Sequence, residues 1–117
     1  MTVTLPGSAL QLILEEVLGG GAPDAHLSGA VVRWDSTAAR GRRVKEVRLL
    51  DGRKLEDKKP YTLTVPDFLA QGGESYALLR NYPQEAPGVL DLDAFIAYLR
   101  RLPQPIQPPA DPRFLTR

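Results

Sequence analysis

Along the 117-residue chain the spacing of hydrophobic positions changes several times, and each change marks an element. Val3 and Leu5 alternate with Thr2 and Thr4, which predicts a short strand ending at Pro6-Gly7. Ser8 stands three residues before Gln11, the spacing of a capping box that opens a helix. Leu10, Ile13, Leu14 and Val17 follow at i, i+3, i+4 and i+7, which is one face of that helix. Gly19-Gly20-Gly21 and then Pro23 end it.

The pattern then turns to strands. Leu27 to Trp34 is rich in small and β-branched residues, and 35–41 is a polar connection. Val44, Val47 and Leu49 lead into Asp51-Gly52, a hairpin signal, with a return strand past Leu55. Tyr61, Leu63 and Val65 alternate with Thr62 and Thr64 as a half-buried strand that stops at Pro66. Ala77 to Arg80 is spaced for a single helical turn. Asp91 is the expected cap of a last helix, with Leu92, Phe95, Ile96 and Leu99 on one face. Leu90 and Phe95 occupy the positions of a hydrophobic staple around that cap, and Arg100 and Arg101 lie at the negative end of the helix dipole.

Pro103 begins a Pro-rich tail over 103–117, expected to run extended across the surface with Ile106 and Phe114 as anchors. Strands and helices mix without a βαβ rhythm. The expected fold is therefore α+β: a single-domain α/β sandwich of mixed or antiparallel strands with two main helices, spanning 1–102 and followed by the tail.

Composition narrows the chemistry. The formal charge is +1, from 15 Lys and Arg against 14 Asp and Glu, so no long-range pull toward nucleic acid or an anionic membrane is expected. No apolar run approaches the ~18 residues of a membrane span. Residues 1–7 lack the basic region and apolar stretch of a signal peptide. With no cysteine there are no disulfides, thiolate metal sites or thiol nucleophiles. His26 is the single histidine, so no second one completes a metal site and no Ser-His-Asp arrangement forms around it. Asp24, Asp35, Asp51, Asp57, Asp91 and Asp93 sit at turns and caps, where turn chemistry already accounts for them. No catalytic and no metal-binding residue is assigned.

Two segments retain candidate chemistry. Arg40, Arg42, Arg43 and Lys45 form a basic cluster that reads either as a phosphate or nucleic-acid site or as a solvated loop diluted by Asp35 and Glu46. The other is Asp67-Phe68-Leu69-Ala70-Gln71-Gly72-Gly73-Glu74-Ser75-Tyr76. An aromatic ring just past a strand, two glycines and a carboxylate allow a close backbone approach to a ligand. Phe68 can stack on a planar base, worth about 1–3 kcal/mol. Glu74 can accept hydrogen bonds from vicinal hydroxyls. A plain Gly-Gly turn with Phe68 in the core accounts for the same residues.

The segment Val65 to Tyr76 resembles the signature of the 5'-nucleotidase C-terminal domain, commonly Asn-Asp-Phe-Leu-Ala-x-Gly-Gly-Asp-Gly-Tyr. The opening Val3 to Leu10, the strand Leu27 to Asp35, the hairpin Arg43 to Tyr61 and Gly88-Val89-Leu90-Asp91 before the last helix are similar to that family in order and spacing. In the family, two aromatic rings of this domain sandwich the base, and a carboxylate after the double glycine binds the ribose. A separate N-terminal metallophosphoesterase domain supplies two divalent metal ions and the catalytic His-Asp pair.

The resemblance thus implies a substrate-binding site at Phe68, Gly72, Gly73, Glu74 and Tyr76, a nucleoside or nucleotide ligand, and no cofactor in this chain. It also implies a parent that hydrolyses nucleotides to nucleoside and phosphate, often in a periplasmic, secreted or cell-surface setting. The first clamp aromatic and the metal domain are expected upstream of Met1. Two departures stand out: Glu74 is one methylene longer than the usual Asp, and Ser75 replaces a glycine. They keep open a second reading, a diverged interaction or structural module that has lost nucleotide binding.

Overall fold

The computed structural model describes residues 1–73, 76–86, 88, 90–108, 110 and 112–116. Its elements are β1 (Thr2–Pro6), α1 (Gly7–Val17), β2 (Ala30–Trp34), β3 (Val44–Leu49), β4 (Pro60–Thr64), α2 (Asp67–Ala70), a 3-10 turn (Ala77–Asn81), β5 (Gln84–Glu85), α3 (Asp91–Arg101) and β6 (Phe114–Thr116). They form the α+β arrangement expected from the sequence: two three-stranded sheets, ordered β4-β1-β5 and β3-β2-β6, with α1 and α3 as the main helices.

Alternation builds both sheets. In β1, Val3 and Leu5 are buried while Thr4 faces out. β4 pairs antiparallel with it from Thr2↔Thr64 to Pro6↔Pro60, and β5 flanks its other edge. In β2, Ala30, Val32 and Trp34 point inward, and Arg33 outward. β3 runs antiparallel to β2, with a bulge where the register slips between Arg33 and Trp34. β6 adds in parallel through Val32↔Phe114 to Trp34↔Thr116. The tail therefore contributes a strand that alternation over three residues is too short to announce.

Helix α1 joins two cores. Ala9, Ile13 and Val17 meet Val3, Leu5, Ala70, Tyr76 and Leu79, whereas Leu14 and Leu18 meet Ala30, Val32, Trp34, Val44 and Val47. Phe114 packs against both clusters. Burial of each such aliphatic side chain contributes about 1.5–3 kcal/mol, which makes α1 the organising element.

Its end before Gly19 is as expected from the sequence, but its start differs. The helix starts at Gly7 and Ser8 makes no side-chain cap; instead Gly7 N–H donates to Lys59 O (3.0 Å) and Ser8 N–H to Asp57 O (3.0 Å). Loop carbonyls thus satisfy two of the free amides at the start of the helix. This approach requires glycine, because a Cβ at position 7 would collide with the Glu56 carbonyl oxygen. At the other end, Arg43 Nη1 donates to Leu18 O (2.7 Å) and Gly19 O (2.9 Å). Buried Glu15 accepts from the Arg43 and Val44 amides at 2.9 and 3.0 Å.

Three further expectations are corrected. The return strand at Leu55 reduces to a single bridge, Arg48↔Lys54, because the chain turns away after Leu55 N–H donates to Val47 O. The last helix takes Leu90, not Asp91, as its N-cap residue. Leu90 and Phe95 are both exposed, so no staple closes over them. With the cap one residue earlier, the pair no longer stands at staple spacing.

Candidate functional site

The site grows out of the end of β4. Pro66 follows the strand with φ −58° and ψ 150°, and Asp67 begins the one-turn helix α2. This short turn sets Phe68 outward, 61% exposed, while Ala70 drops into the core. The alternative of a core Phe68 is thereby answered. Gly72 follows at φ +93°, a conformation closed to most side chains, and its amide donates to Leu69 O at 2.9 Å.

Each glycine has a neighbour that would not tolerate a side chain. A Cβ on Gly73 would stand 2.6 Å from Cε1 and Cζ of Phe68, so the ring lies directly on that residue. A Cβ on Gly72 would stand 2.8 Å from Nε of Arg80, which reaches over from the 3-10 turn. The double glycine thus lets an aromatic ring and a cation settle onto one backbone turn. Phe68 is held by contact along one side and open to solvent on the other, the disposition of a stacking surface.

The turn is braced from beneath. Tyr76 is 5% exposed, its ring in the core with Val3, Leu5 and Leu79, and its hydroxyl donates to Asp24 Oδ1 at 3.2 Å. Gln84 Nε2 donates to both Ala70 O (2.7 Å) and Leu79 O (2.9 Å), tying α2 to the 3-10 turn. Neither residue's bracing role is visible as a sequence motif. Gln84 follows no recognisable pattern, and a core-facing tyrosine is legible only from its position after the glycines. Glu74 and Ser75 lie outside the described residues.

The basic segment does not assemble into a site. Arg43 is spent on the carbonyls of Ala38, Leu18 and Gly19, and Arg40 pairs with Glu16 at 3.1 Å. Arg42 and Lys45 are exposed, so the four charges of the sequence motif are divided between the end of α1 and solvent, as in the solvated-loop reading. Elsewhere, Arg48 hydrogen-bonds Glu46 and holds its carboxyl below the usual range; Arg53 does the same for Asp51. Both pairs belong to the exposed β3 hairpin and not to the candidate site. Among the described residues no group of three or more His, Cys, Asp and Glu is placed to hold a metal ion. No helix among them is long and apolar enough to cross a membrane.

Residues 1–81 match the family described as "5'-nucleotidase, C-terminal domain". A "5'-nucleotidase-related protein" of Glossina morsitans morsitans is 28% identical over 93% of this chain and 22% of its own length. The 5'-nucleotidase precursor of Thermus thermophilus superposes with a TM-score of 0.87 at 22% identity, covering 98% of this chain and 24% of that one. The Haemophilus influenzae NAD nucleotidase superposes at 0.77 with 18% identity, over 99% and 24%. The chain therefore spans about a quarter or less of the length of these relatives.

Proposed function

The chain belongs to the 5'-nucleotidase C-terminal domain family, and on that premise we propose that it holds the nucleoside portion of a nucleotide while a separate domain performs the hydrolysis. The observation that carries this reading is the Phe68 ring, seated on Gly73 and open on its outer face. In the proposal that face stacks on the base, Gly72 and Gly73 let the ligand approach the backbone, and Glu74 accepts from the ribose hydroxyls. Tyr76 supports the turn from the core.

Holding the nucleoside fixes the leaving group of the phosphoester and supplies part of the orientation on which the rate depends. The two divalent ions that the family implies would activate the attacking water. The proposal assigns them to the separate metallophosphoesterase domain. The parent's reaction would be hydrolysis of a nucleotide to nucleoside and phosphate.

The test is a titration with adenosine followed by NMR amide shifts. Perturbations centred on residues 68–73 and 76–80 are expected in the native chain. Phe68→Ala should weaken binding by about five- to 150-fold, the equivalent of about 1–3 kcal/mol of base stacking. An unchanged affinity in that variant would remove the stacking role. The replacements at Glu74 and Ser75 favour a second reading, an interaction module without a nucleotide site, for which no nucleoside shifts those amides at all.

A further inference from the structure

Helix α3 has an apolar face that the fold leaves outside. Leu92, Phe95 and Ile96 are exposed on it, Leu90, Tyr98 and Ile106 are exposed as well, and Leu99 is half-buried. Leu92, Phe95, Ile96 and Leu99 share one face of the helix, and an exposed apolar face of this kind marks an interaction surface.

The charges beside the patch specify what it meets. Successive helical residues turn by about 100°, so Asp93 and Arg100, seven apart, fall on the same flank of the Leu92-Phe95-Ile96-Leu99 face. Their midpoint lies between Ile96 and Ala97, within about 1 Å of the centre of the helix. A two-fold axis through that point maps the flank onto itself and sets Asp93 of one copy against Arg100 of another, twice. A parallel pairing would instead bring the two acidic ends together. Among the described residues neither Asp93 nor Arg100 has an ion-pair partner within the chain. The chain's formal charge of +1 adds little repulsion between copies.

We propose that α3 pairs antiparallel with α3 of a second copy, burying Leu92, Phe95 and Ile96 across the axis and matching Asp93 to Arg100 on either side. The interface is isologous, each patch being its own complement. An 11-residue helix places it at the small end of specific interfaces, so a weak, reversible association is expected.

Sedimentation velocity of the full chain from about 5 to 500 µM tests this, with a reversible monomer–dimer equilibrium expected in that range. Phe95→Asp should sediment as a monomer throughout, with an unchanged circular dichroism spectrum because the residue is exposed. Asp93→Arg and Arg100→Asp should each weaken the dimer about three- to tenfold, and the double reversal should restore it. A native chain that stays monomeric at the top concentration overturns the proposal and leaves the face to another partner. A dimer that survives Phe95→Asp overturns it by locating the contact elsewhere. Single reversals that the double does not rescue overturn the antiparallel pairing.

Discussion

Helices α1 and α3 are the same length, 11 residues, and both carry apolar side chains at i, i+3, i+4 and i+7. One lies between two sheets with Ile13, Leu14 and Val17 buried, and the other turns Phe95 and Ile96 toward solvent. Amphipathic spacing names the face of a helix that prefers apolar company, but it does not say where that company comes from. What separates the two is the fastening at their ends. Gly7 admits the carbonyls of the 56–59 loop against the start of α1, and Glu15 with Arg43 pins its finish to β3. Helix α3 contains no glycine, and its described carboxylate, Asp93, is exposed.

Removing that fastening should have the largest effect. Glu15→Ala leaves the Arg43 and Val44 amides without their acceptor, and about 3–4 kcal/mol of unfolding free energy is expected to disappear. Urea denaturation measures it; a loss below about 1 kcal/mol would mean that the two amides find water instead. Gly7→Ala should cost about 2–3 kcal/mol, since the added Cβ must push the Glu56 carbonyl aside. Hydrogen exchange at the Gly7 and Ser8 positions should accelerate in that variant, and unchanged protection would contradict the close approach.

Phe95→Ala is the complementary test on α3. At concentrations where the chain is monomeric its stability should stay within about 0.5 kcal/mol of the native value, as for other exposed positions. A larger loss would show α3 to be fastened after all and would dissolve the contrast. The smallest effect concerns the β3 hairpin. Arg53 hydrogen-bonds Asp51 and depresses its carboxyl, so the pair's contribution is present above the ordinary carboxylate range and fades as pH falls below it. In an NMR titration Arg53→Gln should raise the Asp51 midpoint toward the ordinary value with little change in global stability.

The candidate site was partly legible. Phe68, Gly72 and Gly73 stand out because glycine pairs and an aromatic past a strand are local signals. Only the folded backbone shows that the ring sits on Gly73 and that Arg80 covers Gly72, since these contacts depend on how α2 and the 3-10 turn face each other. Gln84 and Asp24 support the turn from distant segments, and no local pattern marks either residue for that role. In the basic segment the structure separates what the sequence grouped. Arg43 looked like one charge among four, yet long-range partners took it out of the cluster.

By itself the sequence determined the periodicities, the breaks at glycine and proline, and hence an α+β order of strands and helices; these follow from backbone and side-chain geometry within a few residues. Tertiary structure alone decided that α1 would divide its apolar face between two cores, that Phe114 would carry the tail into a sheet as β6, and that α3 would keep its apolar face outside. Those outcomes depend on which surfaces meet across long stretches of chain, where burial is won by shape and by satisfied amides and not by spacing.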